Sequence, residues 1–197
     1  MALAVEHEKR RKKILEKALD VFIDDGFENA TFQKIADKSG ITRTILYLYF
    51  KNKKEIFIFS IKQLLLSAEE KLNAIRSNIN INSAEKLSKV LMAIFKLLEQ
   101  NRQLLSVVLD FLLHTSKDDF NPDVRVRRRT VKLRHIMSSI LIEGVKTGEL
   151  KDLNIKETND FLYSFVESGI FQMAVLKRKD LKKLEKTAVF AVKQLCS

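Results

Sequence analysis

The sequence predicts an all-α protein, and three observations lead there. First, its 197 residues hold only 5 Gly and 1 Pro, where average usage gives roughly 14 and 10. A chain so poor in turn residues has few turns, so its elements are long. Second, apolar residues recur three and four positions apart, and no segment sustains the alternation of a strand. Third, helix start and stop residues punctuate the chain at helix-sized intervals. At 46% hydrophobic and 31% charged residues, the chain reads as folded, soluble and large enough for a substantial core.

The elements follow in order. Ile14, Ala18, Val21 and Phe22 line one face of a first helix over about residues 8–25, and Gly26 ends it. Thr31 caps a short second helix reaching Asp37. Ser39-Gly40 makes a tight turn, and Thr42 caps a third helix to about Tyr49. Asn52, with Glu55 three residues on, reads as a capping box opening a long fourth helix to about Arg76. The stretch NININ at 78–82 is a linker, and Ser83 caps a fifth helix over 84–100. A sixth spans 102–115. Asn121-Pro122-Asp123 starts a seventh, which stops at Gly148. Asn154 with Glu157 opens the eighth, through Lys177, and Asp180 caps the ninth, to about Leu195. Nine helices therefore fall into a small N-terminal part, residues 1–55, and a larger bundle, residues 56–197.

Composition bounds the function. The formal net charge of +11 draws the chain to polyanions. Yet residues 1–55 hold 12 Lys/Arg against 9 Asp/Glu, and the rest 24 against 16, so charge alone does not locate a nucleic-acid site. A single cysteine, Cys196, fits a reducing cytoplasm and forms no internal disulfide. The N-terminus has too short an apolar run for a signal peptide, and no run approaches a membrane span. No Ser-His-Asp or Cys-His arrangement, phosphate-cradling glycine loop or zinc spacing is present, so neither an enzyme nor a cofactor is expected. His114 with Asp118 and Asp119 is an incomplete ligand set for a metal. The basic run RVRRRTVKLR, residues 125–134, reads as the solvated face of the seventh helix, as does LKRKDLKKLEK, 176–186, near the ninth.

The second and third helices carry the strongest pattern. Ala36, Gly40 and Leu46 supply a small residue for close crossing, a turn glycine and a core leucine, as a helix-turn-helix requires. The remaining face of the third helix is then Thr42, Arg43, Thr44 and Tyr47. In a helix-turn-helix that face enters the major groove. Arg43 can bond guanine through two parallel N–H groups, while hydroxyls and phenols can bond phosphates.

Residues 26–57, GFENATFQKIADKSGITRTILYLYFKNKKEIF, resemble the DNA-binding segment of the TetR family of repressors. The match runs through Gly26, Thr31, Ile35-Ala36, Gly40-Ile41-Thr42, Leu46-Tyr47-Leu48-Tyr49-Phe50, Lys53 and Ile56. Beyond residue 60 it rests on helix number and length. The resemblance implies a nine-helix fold and a non-enzymatic regulator of transcription. It implies phosphate contacts by Thr31, Tyr47, Tyr49 and Lys53, a base-reading position at Gln33, and a recognition helix opening with Thr42, Arg43 and Thr44. Many relatives carry Thr where Phe32 stands and Gly where Thr44 stands.

It further implies a homodimer on a palindromic double-stranded DNA operator, released by a small-molecule effector. Phe161, Phe165, Ser168, Gly169 and Gln172 of the eighth helix, with Leu184, Ala188, Ala191 and Leu195 of the ninth, are the expected dimer stripe. Phe95, Phe111, His114 and Met137 are the expected ligand-lining residues. A non-specific architectural DNA binder and a purely structural helical bundle are the alternatives. Steep salt dependence without sequence preference would mark the former.

Overall fold

The computed structural model describes the backbone of residues 2–115 and 122–197 and the side chains of 5–113 and 131–197. Among the described residues there are nine helices and no strand: α1 (Ala2–Asn29), α2 (Phe32–Ser39), α3 (Arg43–Tyr49), α4 (Lys53–Arg76), α5 (Ser83–Gln100), α6 (Arg102–Thr115), α7 (Pro122–Lys146), α8 (Ile155–Ala174) and α9 (Lys182–Lys193). They divide into two compact units, residues 1–67 and 68–197. The division lies well inside α4 rather than at residue 55, because the first turns of α4 feed Ile56, Phe57 and Ser60 into the first unit's core.

In the first unit, Ile14, Leu15, Ala18, Val21 and Phe22 of α1 are buried with Ile35 and Ala36 of α2, Leu46 of α3 and Phe57 of α4. Phe57 meets Phe22 edge-on, with ring centroids 4.8 Å apart, and Phe27 at 5.1 Å. Rings buried as fully as those of Phe22 and Phe57 contribute about 1.5–3 kcal/mol each of burial free energy. Ser60 is tolerated in this core because its hydroxyl donates to the Leu15 carbonyl at 2.9 Å. The helix extends N-terminal of residue 8, where apolar periodicity gave no signal, and Gly26 interrupts it at φ 76° and ψ 171°.

Local caps set the turn geometry. The Thr31 hydroxyl accepts from the Lys34 amide, and the Thr42 hydroxyl from the Ile45 amide, at 3.2 and 3.3 Å. Gly40 closes α2 at φ 67° and ψ 36°, in the left-handed region that disfavours side chains. With that turn the Ile41 amide reaches back to the Ala36 carbonyl at 3.1 Å, the closing bond of a Schellman motif. Asn52 Oδ1 accepts from the Glu55 amide at 2.8 Å; the Glu55 carboxylate accepts from the Lys51 amide at 2.6 Å.

The second unit is built around α5, which packs on α7, α8 and α9. Leu87, Val90, Leu91 and Phe95 of α5 meet Met137 and Ile140 of α7, Leu162 and Val166 of α8, and Ala188 and Val192 of α9. Asn82, not Ser83, caps α5; its Oδ1 accepts from the Glu85 amide at 2.8 Å. The Ser83 amide instead donates to the Glu149 carboxylate at 2.8 Å. Gly144 of α7 has no room for a side chain: an added Cβ would lie 2.6 Å from Leu150 and 2.7 Å from Ser83 Cβ. Asn154 caps α8 as expected, but α8 ends at Ala174, ahead of Lys177, whose φ is 53°. Leu181 occupies the α9 cap position without a side-chain bond, and Asp180 accepts from the Lys182 amide at 3.1 Å. The hydrophobic pull on Leu181, 1% exposed, displaces the expected Asp180 cap by one residue.

Candidate nucleic-acid interface

The face of the first unit that carries Thr31, Gln33, Thr42, Arg43, Thr44 and Tyr47 is exposed throughout. Leu46 is the only fully buried side chain of α3; Ile45 and Tyr49 are half-buried beside it, and Arg43, Thr44, Tyr47 and Leu48 are exposed. Thr31 and Thr42 each use an oxygen lone pair for capping, which leaves the hydroxyl proton to donate elsewhere. Gln33 donates to the Asp37 carboxylate at 2.8 Å, one turn along α2.

Arg43 is already positioned. Its Nη2 donates to Tyr47 Oη at 3.1 Å, and its guanidinium carbon lies 5.6 Å from the Tyr47 ring centroid. The Tyr47 ring in turn stacks on Phe32 of α2, with centroids 4.6 Å apart and planes inclined by 24°. Tyr49 is half-buried and stacks on His7 of α1, centroids 4.5 Å apart at 21°. Arg11 lies over the rings of Phe50 and Phe59, at 5.4 and 4.5 Å. Two residues that sequence reasoning assigned no functional part, Phe32 and His7, thus support the two tyrosines. No spacing rule marks them, because both contacts join different helices.

Lys53 is placed differently from the expected phosphate ligand. Its ammonium donates to the Glu28 carbonyl at 2.8 Å and sits 4.6 Å from the Phe27 ring centroid. It therefore ties the first turn of α4 to the end of α1, supplying a donor to a carbonyl at a helix terminus.

In the second unit, the expected ninth-helix stripe faces inward. Ala188 and Ala191 are buried, and Leu184 and Leu195 pack on the unit's own core. Gly169 is buried as well, an added Cβ meeting Leu98 at 3.0 Å. The small residues do permit close helix approach, but the helix approached is within the same subunit. The outer side of α8 instead follows a 3-4-3 spacing through Phe161, Ser164, the half-buried Ser168 and Phe171, with Val175 exposed just past its end. Phe161, Phe171 and, on α9, Phe190 are 50%, 52% and 64% exposed. Phe165 is half-buried and meets Phe161 edge-on at 5.4 Å, and Gln172 donates to Ser168 at 3.0 Å.

Of the expected ligand-lining residues, Phe95, Phe111 and Met137 are buried core side chains. A cleft of about 260 Å³ lies instead beside Arg76, Ser77, Ile79, Lys86, Ser139 and Glu143, with Lys86 Nζ 3.2 Å from Glu143 Oε1. The His114 side chain, Asp118, Asp119, Asn121 and the side chains of 125–130 in the basic run lie outside the described residues. Among the described residues no cluster of His, Cys, Asp and Glu could hold a metal. No described helix is long and apolar enough to cross a membrane.

An all-helical chain whose short third helix offers hydroxyls, a guanidinium and a phenol from a helix-turn-helix defines a DNA-binding regulator class. The profile of the bacterial regulatory proteins of the tetR family matches residues 14–58. Residues 14–58, which run from α1 into the start of α4, are thus similar to the DNA-binding segment of that family of transcription regulators. The chain is 25% identical over 166 residues to the fatty acid metabolism regulator protein of Bacillus subtilis, covering 83% of this chain and 84% of that one. Its fold is similar to a TetR transcription regulator from Haloarcula marismortui, with a TM-score of 0.83 at 15% identity, covering 96% of this chain and all of the other. It is also similar to the transcriptional regulator FadR from Bacillus subtilis in complex with stearoyl-CoA, with a TM-score of 0.71 at 23% identity, covering 91% and 96% of the two chains.

Proposed function

We propose that the protein is a cytoplasmic repressor that binds a palindromic operator as a homodimer and leaves it when a small molecule binds the second unit. The single observation that carries the reading is the outward face of α3, where Arg43 is held ready by Tyr47. Such a guanidinium suits the paired acceptors of guanine in the major groove, and the hydroxyls of Thr31, Thr42 and Thr44 suit phosphates. One short helix reads only a few base pairs, so selectivity calls for two copies about 34–36 Å apart.

The exposed Phe161, Phe171 and Phe190 support a subunit contact through α8 and α9, since paired helices bury such rings across a two-fold axis. The likeness to a fatty acid metabolism regulator, and to a fold solved with stearoyl-CoA, makes acyl thioesters the first effector class to test. In this mechanism the effector prefers one packing of the second unit, and α4, which belongs to both units, carries the preference to the DNA-binding helices. The test is selection of duplexes from a random pool by the purified protein, followed by binding with and without long-chain acyl-CoA. The expected result is an inverted repeat whose affinity falls when the thioester is added. Equal retention of all sequences, with steep salt dependence, would establish the architectural alternative instead.

A further inference from the structure

We infer that Phe32 and Tyr47 determine specificity by aiming Arg43, and that Tyr47 acts through Arg43 rather than as an independent phosphate ligand. The inference rests on the operator-reading function proposed above. Three contacts carry it: the ring stack of Tyr47 on Phe32 at 4.6 Å, the bond from Arg43 Nη2 to Tyr47 Oη at 3.1 Å, and the guanidinium above the same ring at 5.6 Å. Phe32 is the fixed end of this chain. It is nine-tenths buried at the first position of α2, while Tyr47 is half exposed and Arg43 exposed.

The physical advantage is entropic. An exposed arginine samples many rotamers, and fixing one during binding opposes affinity. A phenol anchored to a buried ring, one turn away on the same helix, restricts that freedom before DNA arrives. The hydrogen-bond inventory permits it. Nη2 carries two N–H groups, and one of them goes to Tyr47 Oη. The other, with Nη1, still forms the parallel pair that a guanine edge accepts. Tyr47 Oη, occupied as an acceptor, keeps its own proton.

A directly acting phosphate ligand and a positioning residue give different double-mutant behaviour. The experiment takes the operator selected by the full-length protein and measures binding by Tyr47→Phe, Phe32→Leu, Arg43→Ala and Arg43→Ala/Tyr47→Phe. Each is assayed on that operator and on a copy altered at the base pair that Arg43→Ala ceases to discriminate. Tyr47→Phe, which keeps the ring, should reduce discrimination at that base pair by roughly 5-fold, the scale of one ordinary solvent-accessible hydrogen bond. It should leave affinity for the altered copy nearly unchanged. The double variant should match Arg43→Ala. Phe32→Leu should reduce the same discrimination to a smaller extent. Additive losses in the double variant, or an equal weakening on both duplexes, would overturn the inference while leaving operator reading intact. A wild-type protein that selects no sequence would overturn the operator reading and this inference with it.

Discussion

Two exposed surfaces of the molecule invite comparison. The face of α3 shows water an arginine, three threonine hydroxyls on or beside it, and a phenol. The faces of α8 and α9 show the rings of Phe161, Phe171 and Phe190, with two serines between the first two. In the first, side chains are ordered by contacts inside the subunit: Arg43 by Tyr47, Tyr47 by Phe32, Tyr49 by His7. In the second, large rings stay in water although the core beneath them is filled by Ala188, Gly169 and Leu162. The difference teaches that exposure alone does not define a binding surface. A surface of pre-aimed hydrogen-bonding groups suits a charged, patterned partner, whereas a bare apolar stripe suits another protein surface.

The comparison is broken most sharply by Phe171→Glu. A carboxylate in the apolar stripe should convert the protein to a monomer in sedimentation equilibrium and lower affinity for the full inverted repeat by roughly 100-fold or more, the scale of lost bivalence. A half-site should be bound as before. An unchanged mass would remove α8 from the interface. Next comes Arg43→Ala, expected to cost about 1–3 kcal/mol at one base position and little at others, read by competition among single-substituted operators. Loss spread evenly over all positions would argue against base reading.

Lys53→Met sharpens the boundary between fold and interface. Since the ammonium bonds the Glu28 carbonyl, its removal should lower thermal stability by about 1 kcal/mol. Weakened binding on every sequence at unchanged stability would instead assign Lys53 to phosphate. The smallest effect is expected at Glu149. The nearby Ser83 hydroxyl, although short of regular hydrogen-bond geometry, together with the Ser83 amide and then Lys86, holds its carboxyl below the usual range. A carboxyl lowered on folding adds stability above its unfolded pKa and loses it as pH falls through the folded value. Glu149→Gln should therefore be less stable than the parent at pH 7, and the gap should close in acid. Chemical denaturation at pH 7 and at pH 3 checks the sign.

Much of the fold was legible because its signals are local. Gly40 needs a left-handed backbone, Asn52 and Glu55 sit three residues apart, and Asn154 opens α8; each is decided within one turn of chain. The helix-turn-helix was legible for the same reason, since Ala36, Gly40 and Leu46 are neighbours in sequence. What escaped depends on partners far along the chain. Small residues at Ala188 and Ala191 signal close packing but not which helix is packed upon, and here α9 lies on α5. Lys53 looked outward until its carbonyl partner at Glu28 was known, 25 residues away. The α9 cap moved because burial of Leu181 outweighed the preference for Asp180. The stack of Phe32 beneath Tyr47 had no local signature at all.

Those stacked tyrosines also make the protein its own optical probe. The chain has no Trp and only three Tyr. Tyr163 lies buried in the second unit with the Arg134 guanidinium 4.1 Å from its ring centroid, whereas the other two are on α3, Tyr47 on its exposed face and Tyr49 half-buried against His7. Tyrosine emission therefore divides between one interior chromophore and two on α3, at or beside the face proposed to meet DNA. Quenching on mixing with a duplex would follow occupancy without any attached dye, and replacing Tyr163 with Phe would leave a spectrum belonging to α3 alone.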